Sequence, residues 1–382
     1  MTGHAVQPAP GDLRAAIGAA TVLVIGMGFG RFAFTAIYPH MVEEGILTLR
    51  AGSIAASANY AGYLLGALLA MGARTHHAHR LCLLSTAGTV VCMAVLAVLT
   101  SVPLILAVRG IAGLFSALSI IAASQWLLAH RGHVHRAPLL YAGVGLGIAA
   151  SAEVLVLATH MGLHSPGMWL TLAAIALLLG IAVVPSLSQA ASPVSETTPT
   201  QGALAAETVA AGPLIALYGL AGFGYIVTAT YLPLLVTSAL PHLDSAHVWA
   251  VFGLGAAPSC LLWHRIHHRL GTRKALRWNL LVQAIGVALP VLFPMAVGYI
   301  ASALLVGGTF MGTVTIAMPA AQQAARKVAG PLLATMTLVY GVGQIVGPSL
   351  ADRLYAHSPS FSPALLVAAV SLVVAAILSG RL

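Results

Sequence analysis

The fold class that this sequence predicts is an all-α polytopic membrane protein, with twelve transmembrane helices in two six-helix bundles. Three observations carry the prediction. Of 382 residues, 59% are hydrophobic and only 7% charged, where ordinary soluble domains carry roughly 25% charged residues. Apolar runs of about 18–28 residues, each long enough to cross a bilayer, recur twelve times along the chain. A stretch rich in Ser, Thr, Pro and Ala divides those runs six and six.

The first six spans run near 13–40, 50–72, 81–100, 103–128, 138–160 and 166–186. The second six run near 212–238, 245–263, 278–296, 298–321, 330–352 and 361–380. Residues 1–187 therefore form an N-terminal bundle and 212–382 a C-terminal one. Between them, 188–211 has no composition that could bury a core and is expected to be a flexible cytoplasmic linker. The polar opening MTGHAVQPAPGDLR precedes a long span and has no small-residue cleavage pattern, so it reads as a short cytoplasmic tail.

Basic residues set the orientation. With the N-terminus in the cytoplasm, Arg74, Arg80, Arg131, Arg136, Arg265, Arg269, Arg273, Lys274, Arg277, Arg326, Lys327 and Arg381 all fall on the cytoplasmic side. Only Arg50 and Arg353 fall on the other, as the positive-inside rule requires. Both termini are then cytoplasmic. The net charge of +9 reports this topology and does not point to nucleic acid.

Within the first span lies Gly26–Pro39, GMGFGRFAFTAIYP. Arg31 sits near its middle, and an arginine at bilayer depth costs at least about 2.5–3.5 kcal/mol, so it should face protein or a wet cavity. Gly26, Gly28 and Gly30 leave room for a neighbouring backbone or a solute. Arg31 is therefore the first candidate to line a solute pathway. The plainer alternative is a buried ion pair that only holds helices together.

The two halves echo each other. Gly28-Phe29-Gly30 and Gly222-Phe223-Gly224 open the two copies, with Pro39 and Pro233 at the same offset. The glycine-rich run after Tyr141 in span five has a counterpart after Tyr340 in span eleven. Parallel half-repeats of this kind build many secondary transporters, with the solute site near the midplane between the halves.

The runs GFGRFAFTAIYPHM at 28–41, SANYAGYLLGALLA at 57–70, YAGVGLGIA at 141–149, GGTFMG at 307–312 and VYGVGQIVGPSLADRL at 339–354 resemble the major facilitator superfamily. More narrowly, they resemble its YbfB/YjiJ-type bacterial branch. The resemblance implies two bundles around a central cavity that opens alternately to each side of the inner membrane. It also implies secondary transport, often coupled to protons. One departure stands out. The superfamily's loop between spans two and three usually carries an acidic residue, and Gly72-Ala-Arg-Thr-His-His-Ala-His-Arg80 has none. Arg269-Leu-Gly-Thr-Arg-Lys274 keeps the basic tail of that pattern better.

Glu153 is the one acidic residue well inside a span. By count from the outer ends it lies at the depth of Arg109 and Arg31, which predicts a single cluster. In that cluster Glu153 would carry the coupling proton, and Arg31 or Arg109 would meet an anionic group on the solute. A structural Glu153–Arg109 pair is the plainer alternative. One carboxylate cannot neutralise two arginines, and that leftover charge predicts an anionic solute. In the second half Tyr225 follows Gly224 as Arg31 follows Gly30, and Tyr340 and Gln344 share a helix face, as Asn59 and Tyr63 do in span two. Tyr231, Gln283, Thr313 and Thr315 are further neutral polar candidates. Any of these hydroxyls and amides also suits packing between helices.

Other patterns carry less. The Gly-x-Gly runs at 26–30 and 143–147 lie mid-span, not between a strand and a cytosolic helix, so they are no dinucleotide fingerprint. His76, His77, His79, His133, His135, His264, His267 and His268 share the loops of the arginines and read as solvated connectors, not metal ligands. Cys82, Cys92 and Cys260 have no metal-ligand spacing. No cofactor, metal or catalytic constellation is expected, and the chain reads as a transporter and not an enzyme. The expected function is secondary transport of a small organic anion, with proton coupling resting on Glu153. An efflux pump for amphipathic compounds is the rival, and a non-transporting receptor or scaffold a more distant one. The expected partners are the solute, protons and lipid, and one twelve-span unit, a monomer, suffices.

Overall fold

A computed structural model of the chain describes residues 10–71, 77–187, 209–240, 242–325 and 331–382. The expected N-terminal tail up to residue 9, the linker up to residue 208, and Arg74, His76, Arg326 and Lys327 lie outside the described residues.

Every regular element among the described residues is helical. In chain order they are α1 (Leu13–Glu43), α2 (Leu49–Ala70), α3 (Ala78–Leu96), α4 (Val102–His130), α5 (Val134–His160), α6 (Ser165–Leu187) and α7 (Ala211–Ala239). A 48-residue helical stretch, Ser245–Leu292, follows. At 1.5 Å per residue it would run about 72 Å, twice the depth of a bilayer. Gly271, at φ 75° and ψ 170°, breaks it in a conformation open almost solely to glycine. The two arms are α8 (245–270) and α9 (272–292). Then come α10 (Ala296–Ala325), α11 (Leu332–His357) and α12 (Ser362–Arg381). The twelve expected spans are thus present.

Local signals set several ends. The Thr48 hydroxyl accepts from the Ala51 amide at 3.1 Å to start α2, and Asp244 does the same for Ala246 at 2.9 Å to start α8. Helices α8 and α9 run past the expected limits of 263 and 278, through Arg265, Arg269, Arg273, Lys274 and Arg277. Hydropathy locates membrane depth, whereas arginine, lysine and leucine are good helix formers and let the helix continue outside it.

Large apolar side chains such as Leu69, Val91, Leu157, Leu178, Ile181, Leu254 and Ile377 are exposed on the bundle surface. That distribution suits a lipid-facing belt, while small residues and rings fill the interior. In the first half α1 packs on α4 and α5, α2 on α4, and α3 on α6. In the second half α7 packs on α11 and α12. Between the halves α5 meets α8, with Gly145 against Gly253 and Ala257, and α2 meets α11.

One end of the bundle carries the first and last described residues, Pro10 and Leu382; the other is called the far end. Hydrogen bonds join the halves in the far half of the helices. Thr35 donates to the Ala229 carbonyl at 2.9 Å, and Tyr60 and Thr230 share a bond of 2.9 Å. The Tyr231 hydroxyl donates to Ser53 at 2.8 Å, and Trp249 donates to the Phe32 carbonyl at 3.2 Å. Arg50 and Asp352 face each other at 3.9 Å in the same region.

Candidate functional site

The middle of α1 is not an α-helix. From Val24 to Phe32 it widens to π geometry, closing where the Ala33 amide donates to the Gly28 carbonyl. Wide turns of this kind concentrate at functional sites. The three glycines explain how it can be packed. A Cβ on Gly28 would overlap the backbone of Gly147 in α5, one on Gly26 the Ser119 side chain in α4, and one on Gly30 the Thr89 methyl in α3. Three neighbours thus press against the turn from three sides, and no side chain fits between.

Arg31 ends that turn and is 3% exposed. Its guanidinium lies 4.0 Å from the ring centroid of Tyr63, 5.1 Å from that of Tyr60 and 5.3 Å from that of Phe32. Its Nε and Nη1 have no hydrogen-bond partner. Desolvated cation–π contacts are worth about 2 kcal/mol, which offsets part of the burial cost and leaves the N–H groups unsatisfied.

Arg109, on α4, is placed differently. It is 1% exposed, and Nη1 and Nη2 donate to the carbonyls of Gly30 and Arg31 at 3.1 and 3.3 Å. Its Cζ lies 4.3 Å from the centroid of the Phe34 ring. Asn59 donates from Nδ2 to the Arg109 carbonyl at 2.9 Å, and its Oδ1 has no partner. Arg109 therefore braces the return of α1 from wide to ordinary geometry.

Glu153 is not in this group, so the expected three-residue cluster is corrected. It is half-exposed and faces His247 of α8 at 3.0 Å. The reason is azimuth. Gly143 and Gly147 point α5 at α1, whereas Gly145 points it at α8. Glu153 lies six residues past Gly147, about 240° round the helix, and eight past Gly145, about 80° round. Counting depth along a span gives no azimuth. The alternative Glu153–Arg109 pair is absent as well. Glu44, Glu153 and Asp352 are paired with His164, His247 and Arg50, and neither buried arginine is matched by a carboxylate among the described residues.

The second half presents rings to the same place. Tyr225 is buried and stacks on Phe310 of α10, centroids 5.4 Å apart, and on Tyr340 of α11 at 6.0 Å. Tyr340 stacks in turn on Tyr218 at 4.4 Å. Gln344 donates from Nε2 to the Tyr225 hydroxyl and keeps an unpartnered Oε1. Phe310 meets Phe32 edge-on at 6.0 Å, so the rings run unbroken from α1 to α11. Tyr63 and Tyr340 stay partly exposed.

Arg31, Tyr63, Tyr225, Tyr340 and Gln344 therefore converge, with Asn59 and Arg109 directly behind. Tyr60, Phe32 and Phe310 belong to the same place and were not foreseen. Phe310 stands in the GGTFMG run and Tyr60 beside Asn59, but periodicity could not tell which face of either helix points inward. Three of the other polar candidates pack elsewhere: Tyr231 on Ser53, Thr313 on Asn279, and Thr315 on its own helix at Met311. Gln283 is buried with both amide atoms unpartnered.

The family described as the uncharacterised MFS-type transporter YbfB matches residues 23–380. The chain belongs to this YbfB-type branch of the major facilitator superfamily. The matched residues begin within α1 and end within α12. Among solved structures the YbfB-type chain is similar to that of a point mutant of the nucleoside transporter NupG. That similarity has a TM-score of 0.67 at 14% identity, over 96% of this chain and 99% of the other. At such identity the likeness concerns the fold. No curated protein matches the sequence.

Proposed function

We propose that this YbfB-type protein is a secondary transporter that moves a small organic anion across the bacterial inner membrane by alternating access. One observation carries the reading: Arg31 and Arg109 are buried side by side with no carboxylate, and Arg31 keeps two N–H groups unpaired. A buried cation without a partner is costly, and an incoming anion relieves that cost. Arg31 meets the solute, Arg109 holds the backbone that carries Arg31, and Tyr63, Tyr225, Tyr340, Gln344 and Asn59 shape the remainder. Hydrogen bonds across the far half of the helices fit a state whose site is reached from the end that carries Pro10 and Leu382, which the arginine distribution assigns to the cytoplasm. The two bundles, 1–187 and 212–382, would rock about this site with 188–211 as their tether. Coupling to protons rests on Glu153, which meets a second titratable group, His247, where the halves touch.

The test is a thermal-shift screen of purified wild type and Arg31→Ala against organic anions and amphiphilic drugs. An anion at a hundred times its Kd adds about 2.7 kcal/mol of stability. Arg31→Ala is expected to weaken that anion roughly a hundredfold and so cut the stabilisation to about 0.4 kcal/mol. Stabilisation of both proteins by amphiphiles, with none by anions, would replace this reading with the efflux pump.

A further inference from the structure

The arrangement of rings around Arg31 narrows the solute beyond its charge. Resting on the anion reading above, we infer that the site selects an aromatic monocarboxylate: one carboxylate for Arg31 and one flat ring for the Tyr225–Phe310–Tyr340 stack.

The single charge follows from how the two guanidinium groups are used. Both Nη atoms of Arg109 are held by backbone carbonyls at 3.1 and 3.3 Å, which leaves it one unpartnered donor, Nε, and no edge for a carboxylate to clamp. Arg31 alone keeps two free donors, Nε and Nη1. One guanidinium serves one carboxylate. A second carboxylate would find only the ring faces and neutral amides of the other half, and its desolvation would be uncompensated.

The flat ring follows from the opposite wall. Tyr225 and Phe310 lie nearly parallel, 15° apart, and Tyr225 and Tyr340 are 22° apart. Tyr340 has Tyr225 on one side and Tyr218 on the other, 4.4 Å away, and is partly exposed, so a solute ring meets its open edge in the T-shaped geometry that aromatic pairs also prefer. Tyr63, also partly exposed, already holds the guanidinium by its ring face, which leaves the donors on the guanidinium edge for a carboxylate. The unpartnered Oε1 of Gln344 sits beside the stack and accepts from a hydroxyl on the solute ring.

The experiment uses the full chain in detergent and titrates four probes by calorimetry: benzoate, 4-hydroxybenzoate, cyclohexanecarboxylate and succinate. Wild type is expected to bind benzoate about tenfold tighter than cyclohexanecarboxylate, which has the same charge and nearly the same size. 4-Hydroxybenzoate should bind tightest and succinate weakest. Tyr340→Leu should remove the preference for benzoate over cyclohexanecarboxylate, and Tyr340→Phe should keep it. The melting temperature of each variant separates lost binding from lost folding, and Tyr340→Phe carries the result if Tyr340→Leu does not fold. Equal affinity for the two ring acids, or tightest binding of succinate, overturns the aromatic selectivity while the anion site stands. No binding of any carboxylate overturns both.

Discussion

Helices α1 and α7 occupy matching places in the two halves, yet they differ where they reach the centre. α1 carries Gly28-Phe29-Gly30-Arg31 and widens to π geometry over Val24–Phe32; α7 carries Gly222-Phe223-Gly224-Tyr225 and stays α-helical over Ala211–Ala239. The close packing is shared. A Cβ on Gly28 meets the Gly147 backbone of α5, and one on Gly222 meets the Tyr340 carbonyl of α11. What differs is the chemistry set on the common frame. The first half supplies a guanidinium with free donors, and the second supplies stacked phenols. The comparison teaches that a repeat can preserve a packing solution while its copies divide recognition between charge and ring.

The largest expected effect breaks the shared frame itself. Gly28→Ala pushes a Cβ into backbone that cannot rotate away, whereas at Gly110 the nearest atom is 3.6 Å off. Overpacking costs about 1–3 kcal/mol. Thermal unfolding should therefore show a clear loss for Gly28→Ala and little for Gly110→Ala, and equal losses would mean that the turn is not tightly held.

A smaller effect separates the two arginines of the first half. Arg109→Met removes two charge-assisted bonds and also a buried unmatched charge, so stability should change by less than about 2 kcal/mol. Anion affinity should fall about tenfold as the α1 backbone relaxes, well short of the loss in Arg31→Ala. Equal losses in the two variants, measured by calorimetry, would place Arg109 against the solute and end the division between brace and anchor.

The smallest effect concerns the seam between the halves. Glu153 and His247 form a half-exposed pair, with side chains 53% and 49% accessible. Exposed pairs contribute at most about 1 kcal/mol, so Glu153→Gln should leave the melting temperature nearly unchanged. If the pair carries the coupled proton, the same variant flattens the pH dependence of uptake into proteoliposomes. An unchanged pH profile would remove Glu153 from the coupling.

Much was legible from composition and spacing alone. Twelve apolar runs, a polar divider and the distribution of arginines determined a two-half helical membrane protein, because hydrocarbon admits only helices or closed barrels and charges must stay near its edges. The glycines before Arg31 and the echo at Gly222–Gly224 marked the helices on which the site is built. Only the tertiary structure decided which side chains meet there. Depth can be counted along a span, but the direction a residue points depends on how each helix is rotated against its neighbours. That rotation sent Glu153 to His247, turned Arg109 onto the backbone of α1, and brought Tyr60 beside Arg31 and Phe310 against Phe32. It is set by close contacts such as Gly28 on Gly147 and Gly145 on Gly253, which form between residues far apart in the chain.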